Sequence, residues 1–258
     1  MTCGIRFRYG RDETLQYIAH LDMLRLFERT LRRTELPVAH TQGFNPRMKL
    51  VFGLPMSTGL TSEAEYADVE LDRPIVPAAF VATMNAHLPR GMQVYDAVPV
   101  ATNDNIMLRV AAARYRITFR TAGAVSREAM QGMLVRLLES EHVPVMKKGK
   151  KGLHEVDIRP LVYAASIRTH GEDWILETFL SAGAKDNLRP DLFMEAWHAL
   201  VGTGFVLRAM HREALYASID NEWLALTDPR ACGSVVAAGA GETGTELWPE
   251  TRHRGVDA

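Results

Sequence analysis

Cysteine is scarce in this sequence, which has only Cys3 and Cys232 among its 258 residues. Two thiols cannot build a disulfide framework or a thiolate metal site. Long apolar runs are missing too, because no segment approaches the ~20 apolar residues of a membrane helix. The first residues also lack the charged-then-apolar pattern of a signal peptide. We therefore expect a protein of the reducing cytoplasm with no membrane partner.

The sequence also lacks the motifs that hold common cofactors. No glycine-rich loop carries the Lys and Ser/Thr of a phosphate site, and no strand–glycine–helix fingerprint for dinucleotides occurs. His20 and Asp22 are two residues apart on a predicted helix, so their side chains diverge by about 200° and cannot share one metal ion. The glycines of "VGTGF" at 201–205 fit a helix end and a turn. We therefore expect no metal, no cofactor and no catalytic residue.

Charge of one sign does not dominate, since the formal net charge is −1. This excludes a global basic field that would attract nucleic acid or acidic lipid. The charge is segregated, however: residues 1–60 carry nine Arg and Lys residues against five Asp and Glu residues. Any affinity for an anionic partner must therefore come from local basic faces.

Apolar periodicity predicts the elements of the first half. The alternation in "CGIRFRYG" predicts a half-buried strand whose basic face presents Arg6 and Arg8. Apolar residues at steps of three and four predict a helix over residues 14–33, which ends before Pro37. A turn at Gly43–Pro46 then leads into a strand. The remaining elements of this half are a strand, a helix and a strand, in "AEYADVELD", "PAAFVATMNAHL" and "MQVYDAVPV".

The second half repeats this order of elements. "ARYRITFR" predicts a strand with one basic face. A helix over 126–141 follows, with Ser126 as its cap. Two strands joined at His170-Gly171, a helix over 190–201 that opens with Pro190, and a last strand complete the half.

Both halves therefore read strand, helix, strand, strand, helix, strand. This is the order of a ferredoxin-like, or split βαβ, unit. We predict an α+β fold of two ferredoxin-like halves in tandem, with antiparallel sheets and the helices on one face. The predicted domains are residues 1–104 and 105–226, followed by a glycine-rich disordered tail over 227–258.

The basic strand faces are the positive functional signal. In a ferredoxin-like sheet one face packs the helices, and the other is free to bind, as in RNA-recognition modules. The predicted phosphate contacts lie on the first-half strands, on the first helix and in the "KKGKK" loop, and are Arg6, Arg8, Arg25, Arg29, Lys49, Lys147, Lys148, Lys150 and Lys151. The second half presents the same kind of face through Arg114, Arg116 and Arg120.

An opposing interpretation of the basic face rests on acidic residues in the next strand. Asp68 and Glu70 could pair across strands with Arg6 and Arg8 and neutralise the face. The pattern also shows no paired exposed aromatics of the kind that stack bases on such sheets. RNA binding and a neutral structural face therefore both stay open.

Four segments together resemble a bacterial family of unassigned function, the radical-SAM-linked proteins. They are "IAHLDMLRLFERTLRRTELP", "GFNPRMKLVFGLP", "EAEYADVEL" and "VDIRPLV", and the similarity runs over about residues 3–217. Members are encoded beside, or fused to, a cobalamin-binding radical SAM protein. Ala19 replaces the usual Ser of a Ser-His-Leu-Asp motif, and Arg47 and Met48 stand where the loop usually has His and Pro.

The resemblance implies a radical SAM enzyme as a partner. The chain does not look like such an enzyme itself, because three cysteines are needed to hold the iron–sulfur cluster. The departure at Arg47 argues against a catalytic or metal-binding His in the loop. The resemblance adds the following motif residues to the candidate substrate or RNA contacts: His20, Asp22, Gly43, Phe44, Asn45, Pro46, Arg47, Asp157 and Arg159.

Three hypotheses for the function remain open. The first is a non-catalytic accessory protein that presents RNA or another anionic substrate to a radical SAM enzyme. The second is a metal-independent endoribonuclease of the double ferredoxin-like type, with His20, His40 and His211 as candidates for general acid or base. The third is a pure protein–protein adaptor, in which the basic stripe of the first helix meets an acidic patch on the partner.

Overall fold

The computed structural model describes residues 3–149 and 152–232. Its strands within these ranges are β1 (Cys3–Arg11), β2 (Leu50–Phe52), β3 (Leu60–Leu71), β4 (Met92–Val100), β5 (Ala112–Thr121), β6 (Pro144–Gly149), β7 (Gly152–Asp157), β8 (Val162–His170), β9 (Asp173–Ser181), β10 (Phe205–Ile219) and β11 (Glu222–Ala225). Its helices are α1 (His20–Arg33), α2 (Pro77–His87), α3 (Ile106–Arg109), α4 (Arg127–Glu139) and α5 (Pro190–Val201). None of these helices has the length and apolar character needed to cross a membrane.

Local sequence signals account for most helix ends. α5 begins at Pro190, whose missing N–H is not needed in a first turn, and it ends at Gly202, whose φ of 69° is left-handed. Ser126 caps α4, because its hydroxyl accepts a hydrogen bond of 3.1 Å from the backbone N–H of Ala129. α1 is shorter than the periodicity predicts and begins only at His20, because the residues before it form turns.

One nine-stranded sheet contains all the described strands except β6 and β7, which pair with each other. Its main order is β4-β1-β3-β10-β5-β9-β8, with β2 beside β3 and β11 beside β10. The first half therefore follows the order β4-β1-β3-β2, and the second follows β10-β5-β9-β8. Every neighbouring pair within each half is antiparallel.

The two halves are joined by the parallel pair of β3 and β10, in which Thr61 lies opposite His211. Because of this pair, the separate sheets that we predicted are merged into one. The chain has a mixed α/β fold with few helices and one large sheet that is mostly antiparallel. The finer assignment, to two ferredoxin-like halves, stays a prediction.

Two clusters of buried side chains stabilise the fold. In the first, Phe7 and Tyr9 of β1 pack with Phe27 of α1 and Phe80 of α2, so the apolar face of β1 meets the helices as predicted. The second cluster includes the fully buried Trp197 of α5 and side chains from α4 and from both halves of the sheet. Burial of each such aromatic ring contributes about 1.5–3 kcal/mol.

The residues that follow β11 are packed against the sheet. Ala231 and Cys232 are buried, and the Cys232 thiol donates a hydrogen bond of 3.1 Å to the carbonyl of Leu226. The ordered chain therefore extends past the boundary that we predicted at residue 227. The rest of the predicted tail, 233–258, lies outside the described residues.

Candidate functional site

Arg6, which we predicted at a phosphate, is fully buried. Its guanidinium donates to both carboxylate oxygens of Asp68 at 2.8 Å and to Asp104 at 2.9 Å. It also donates to the backbone carbonyls of Leu226 and Ala231. Burial alone would lower the pKa of Arg6, but the hydrogen bond and charge of Asp68 outweigh it and raise the pKa. Arg6 is therefore a structural cation, and its predicted contact with RNA does not fit this placement.

Arg8 and Lys49 are partly exposed, and both are paired. Arg8 donates to Asp96 at 2.7 Å, and its guanidinium carbon lies 5.0 Å from the ring centre of Tyr95. Lys49 donates to Glu70 at 2.7 Å, so Glu70 pairs with Lys49 rather than with Arg8. Cross-strand carboxylates thus neutralise much of this basic face, in line with the opposing interpretation.

The candidate residues of α1 have separate partners. The ring of His20 packs edge-on against Phe52, with 5.6 Å between ring centres. Asp22 accepts a hydrogen bond of 2.9 Å from Arg25, and Arg29 is exposed. His20 therefore stabilises the start of α1 against β2, and Asp22 forms a surface ion pair that contributes only tenths of a kcal/mol.

The candidate loop Gly43–Arg47 projects into solvent. Thr41 closes it, because its backbone N–H donates to the carbonyl of Arg47 and its hydroxyl accepts from the N–H of Arg47. Gly43 has a φ of 129°, which strongly favours glycine, and no atom lies near enough to obstruct a Cβ. Phe44, at the tip, is fully exposed. The loop is therefore a structural turn that presents an aromatic ring.

Two lysines of the "KKGKK" segment, Lys147 and Lys148, lie on β6, which pairs with β7 in a separate two-stranded sheet. Lys148 is exposed and Lys147 is half-buried. Lys150 and Lys151 lie outside the described residues. The described lysines therefore do not belong to the large sheet that carries Arg8.

Asp157 and Arg159 hold the end of this hairpin in place. Asp157 accepts hydrogen bonds from the backbone N–H groups of Val143 and Arg159, at 2.8 and 3.0 Å, and lies 2.8 Å from His142 Nδ1. The guanidinium of Arg159 donates to the carbonyl of Leu138 through two nitrogens. Both candidate side chains are thus committed to structural contacts.

Replacing Asp157 by Asn is expected to make the melting temperature depend less on pH under acidic conditions. Hydrogen bonds from Val143, His142 and Arg159 lower the pKa of Asp157 to about 2, whereas an unfolded aspartate titrates near ~3.9. The ionised carboxylate therefore stabilises the fold fully above about pH 4, and this stabilisation is lost as the pH falls toward 2. We expect the melting temperature of the variant to fall by about 2–4 °C at neutral pH. Thermal unfolding between about pH 7 and pH 3 measures both effects, and equal acid slopes in variant and wild type would contradict the assignment.

Four aromatic rings form a cluster on the second half of the sheet. We call this cluster the aromatic platform; it consists of Tyr163 on β8, Phe179 on β9, Tyr216 on β10 and Trp223 on β11. The contacting rings have centres 5.0 to 5.5 Å apart. Tyr163 is 37% exposed, and the other three rings are half-buried. Half-exposed rings of this kind offer faces on which nucleic acid bases can stack.

Cations accompany the aromatic platform. The guanidinium carbon of Arg114 lies 5.8 Å from the ring centre of Tyr216, and Arg114 lies directly opposite Phe179 in the β5–β9 pair. Arg116 forms an ion pair with Glu213, and Arg120 forms ion pairs with Glu172 and Asp173. Arg114 is thus the cation of this face that lies against an aromatic ring.

The sequence pattern did not predict this cluster, in which Tyr163 is exposed and the other three rings are half-buried. Phe179 alternates with buried side chains and was detectable from the pattern of β9. Tyr163 was not, because it lies in a register shift between Val162 and Ala164 that alternation does not predict. Trp223 lies on β11, a short strand that the sequence pattern did not predict.

A family model described as "Uncharacterized protein conserved in bacteria (DUF2344)" matches residues 4–190. The chain belongs to this family. The region of DUF2344 covers α1, the Gly43–Arg47 loop and two rings of the aromatic platform, whereas Tyr216 and Trp223 lie beyond it. No curated protein matches the sequence.

Three of the solved structures that are similar to this DUF2344 chain are protein complexes, each with a TM-score below 0.5. A Cbf5-Nop10-Gar1 complex is 12% identical with a TM-score of 0.45, over 81% of this chain and 49% of that chain. An archaeal box H/ACA sRNP Nop10-Cbf5 complex is 14% identical with a TM-score of 0.41, over 81% and 46%. An H/ACA RNP bound to a substrate RNA is 12% identical with a TM-score of 0.42, over 80% and 46%. The DUF2344 chain spans about half the length of each of these three chains.

Proposed function

We propose that this protein is a non-catalytic accessory protein that binds single-stranded RNA on its aromatic platform and presents it to a radical SAM enzyme. The single observation that carries the RNA part is the cluster of four rings with Arg114 against it. Rings stack on bases without regard to sequence, and a guanidinium beside the rings adds cation–π attraction. The proposal moves the site from the first-half cations to the second half of the sheet.

The strand order supports the same choice of surface. We propose that β5, β8, β9 and β10 form a ferredoxin-like unit, since their order in the sheet is β10-β5-β9-β8 and all neighbours are antiparallel. β5 and β9 are then the two central strands. In RNA-recognition modules of this topology, aromatic side chains of the sheet stack two or three bases. Phe179 lies on one of these strands, and Arg114 lies opposite it on the other.

The radical SAM partner is proposed from the sequence resemblance alone. The resembling segments place Phe44 and Leu21 at the surface, and Tyr17 directly precedes the first of these segments; all three side chains are well exposed. Exposed aromatic and aliphatic side chains outside the sheet are suited to contact with a protein partner. We propose that this end of the first half contacts the enzyme, while the second half holds the RNA.

The endoribonuclease hypothesis has less support in the geometry. His20 packs on Phe52, His40 Nδ1 lies 2.9 Å from the carbonyl of Val38, and His211 bonds to Thr61. Within the described residues, none of the three histidines contacts another. A general acid and a general base that act on one bond must converge on it, so we retain the binding function.

Replacing Tyr163 by Ala is expected to weaken the binding of a short single-stranded RNA. The loss of one stacked base corresponds to about 1–3 kcal/mol, or a roughly 5- to 150-fold increase in Kd. Tyr163→Phe should bind like the wild type, because it keeps the ring. Fluorescence anisotropy with a labelled RNA, repeated over a range of salt concentrations, measures both Kd and the number of phosphates contacted.

Tyr95→Ala is the matched control for this experiment, because Tyr95 is 39% exposed against 37% for Tyr163 and lies under an arginine on the first half. Equal losses in Tyr95→Ala and Tyr163→Ala would refute the location of the site. Absence of binding at low salt would refute RNA binding as a whole. Capture of a protein partner that survives nuclease treatment, without any RNA affinity, would support the adaptor hypothesis instead.

A further inference from the structure

A polar cleft opens where the two halves of the sheet join, and its lining includes none of the four rings of the aromatic platform. Its volume is about 330 Å³, at the small end of the range of ligand pockets. We call it the junction cleft; the lining residues that matter are Asp12, Glu13, Thr61, Glu63, Tyr95 and His211. It lies at the parallel pair of β3 and β10, in which Thr61 is opposite His211.

The tautomer of His211 is linked to the hydrogen bonds of the Thr61 hydroxyl, which contacts both the carbonyl of Met210 and the His211 ring. The Thr61 hydroxyl donates to the carbonyl of Met210 at 3.3 Å, so its oxygen is free to accept from the ring. His211 Nδ1 lies 2.8 Å from the same oxygen, and either atom can be the donor. A proton on Nδ1 lets Thr61 make both hydrogen bonds at once, and we adopt this tautomer. His211 Nε2 is then a bare acceptor. It is buried, and among the described residues it has no hydrogen-bond partner.

A second acceptor lies beside this nitrogen. An oxygen of Glu63 is 3.9 Å from His211 Nε2. Two acceptors cannot bond to each other, but one nitrogen with two or more N–H groups fits between them and donates to both. Burial lowers the pKa of His211 in spite of the Glu63 charge, so the imidazole stays neutral at neutral pH.

The charges around the junction cleft favour a cation. Arg11 also lines the cleft, but its guanidinium donates hydrogen bonds to the backbone carbonyls of Leu60, Ile18 and Ser57. Asp12 stays ionised, since hydrogen bonds from Thr14 lower its pKa. With Glu13 and Glu63 the cleft therefore carries three carboxylates, and its arginine is committed elsewhere. A metal is a poorer fit, because no group of three or more His, Cys, Asp or Glu among the described residues is placed to hold one.

We propose that the junction cleft binds a small organic cation through a primary ammonium group, which donates to His211 Nε2 and to the Glu63 carboxylate. A hydroxyl has one proton to donate and cannot satisfy both acceptors, whereas an ammonium has three. The charge of this ligand is opposite to that of RNA. The proposal therefore stands independently of the aromatic platform.

The test uses 1,4-diaminobutane as the probe and the whole chain as the protein. Isothermal calorimetry should detect binding at pH near 7.5, and the uncharged analogue 1,4-butanediol should not bind. Long-range ¹H–¹⁵N NMR of the free protein should show His211 protonated on Nδ1, and the Nε2 signal should shift when the diamine is added.

Glu63→Gln should weaken diamine binding by about tenfold or more, because one charge-assisted hydrogen bond is lost. The matched control is Glu139→Gln on α4, an exposed carboxylate outside the cleft, which should bind like the wild type. Equal binding of diamine and diol, an unchanged affinity in Glu63→Gln, or a proton on Nε2 in the free protein would overturn the proposal. The NMR result requires no variant and is therefore independent of any folding defect.

Discussion

Replacing Glu65 by Ala is expected to destabilise the protein by about 3–5 kcal/mol. Glu65 of β3 is 1% exposed, and both of its carboxylate oxygens accept hydrogen bonds of 2.7 Å from Arg212 of β10. Arg212 is also buried, and its guanidinium donates to the hydroxyl of Tyr115 on β5. The variant leaves the Arg212 charge buried with a neutral hydroxyl as its remaining side-chain partner. The penalty is large against a total stability of about 5–15 kcal/mol.

Urea unfolding at neutral pH measures this loss as a lower midpoint with an unchanged m-value. The matched control is Glu222→Ala, which breaks the exposed pair with Arg230 and should change stability by less than about 1 kcal/mol. A double variant, Glu65→Leu with Arg212→Met, should recover much of the loss, because it removes both buried charges at once. A Glu65→Ala protein within about 1 kcal/mol of the wild type would show that the pair is not buried in solution.

Replacing Arg6 by Ala is expected to have an effect of similar size, about 3–5 kcal/mol. The variant leaves the carboxylates of Asp68 and Asp104, which both contact the guanidinium, without their shared cation. The carbonyls of Leu226 and Ala231 also lose the guanidinium donor, although Leu226 keeps the hydrogen bond from the Cys232 thiol. Because these carbonyls belong to the end of the described chain, we expect this segment to detach before the rest of the sheet unfolds.

Reactivity of the Cys232 thiol provides a local measure of this detachment. Cys232 is buried, and burial raises its pKa to about 11, so the thiol reacts slowly in the wild type. Labelling with a thiol reagent in a Cys3→Ser background should become faster in the Arg6→Ala variant. Arg8→Ala is the control, since its ion pair with Asp96 is more than a third exposed on both sides and contributes about 1 kcal/mol or less. Unchanged labelling in Arg6→Ala would contradict the contact between Arg6 and the last described segment.

Secondary structure was largely predictable because it depends on near neighbours in the chain. Pro190 and Gly202 delimit α5, Ser126 caps α4, and β8 and β9 are joined near His170 as the turn signal indicates. The same local signals failed where the chain departs from regular alternation. The register shift beside Tyr163 is one such case, and it is the reason that the aromatic platform was missed.

The candidate site was less predictable, because the state of a charged side chain depends on partners that are distant in sequence. The alternation of apolar and polar residues along β1 correctly places Arg6 on the face opposite the apolar side chains. It does not show that Asp104 and the carbonyl of Leu226, 98 and 220 residues away, enclose the guanidinium. The opposing interpretation named Asp68 correctly as a partner of Arg6, but sequence alone could not decide between an ion pair and a phosphate contact.

The sequence by itself determined most of the helices and strands, their order along the chain and the direction in which the apolar side of β1 faces. These properties follow from periodicity and capping, which act over a few residues. Only the tertiary structure decided that β3 pairs with β10, that Glu65 and Arg212 are buried together there, and that four rings from separate strands form one platform. Such contacts arise when the sheet closes over long stretches of chain, and no local pattern encodes which distant residues will meet.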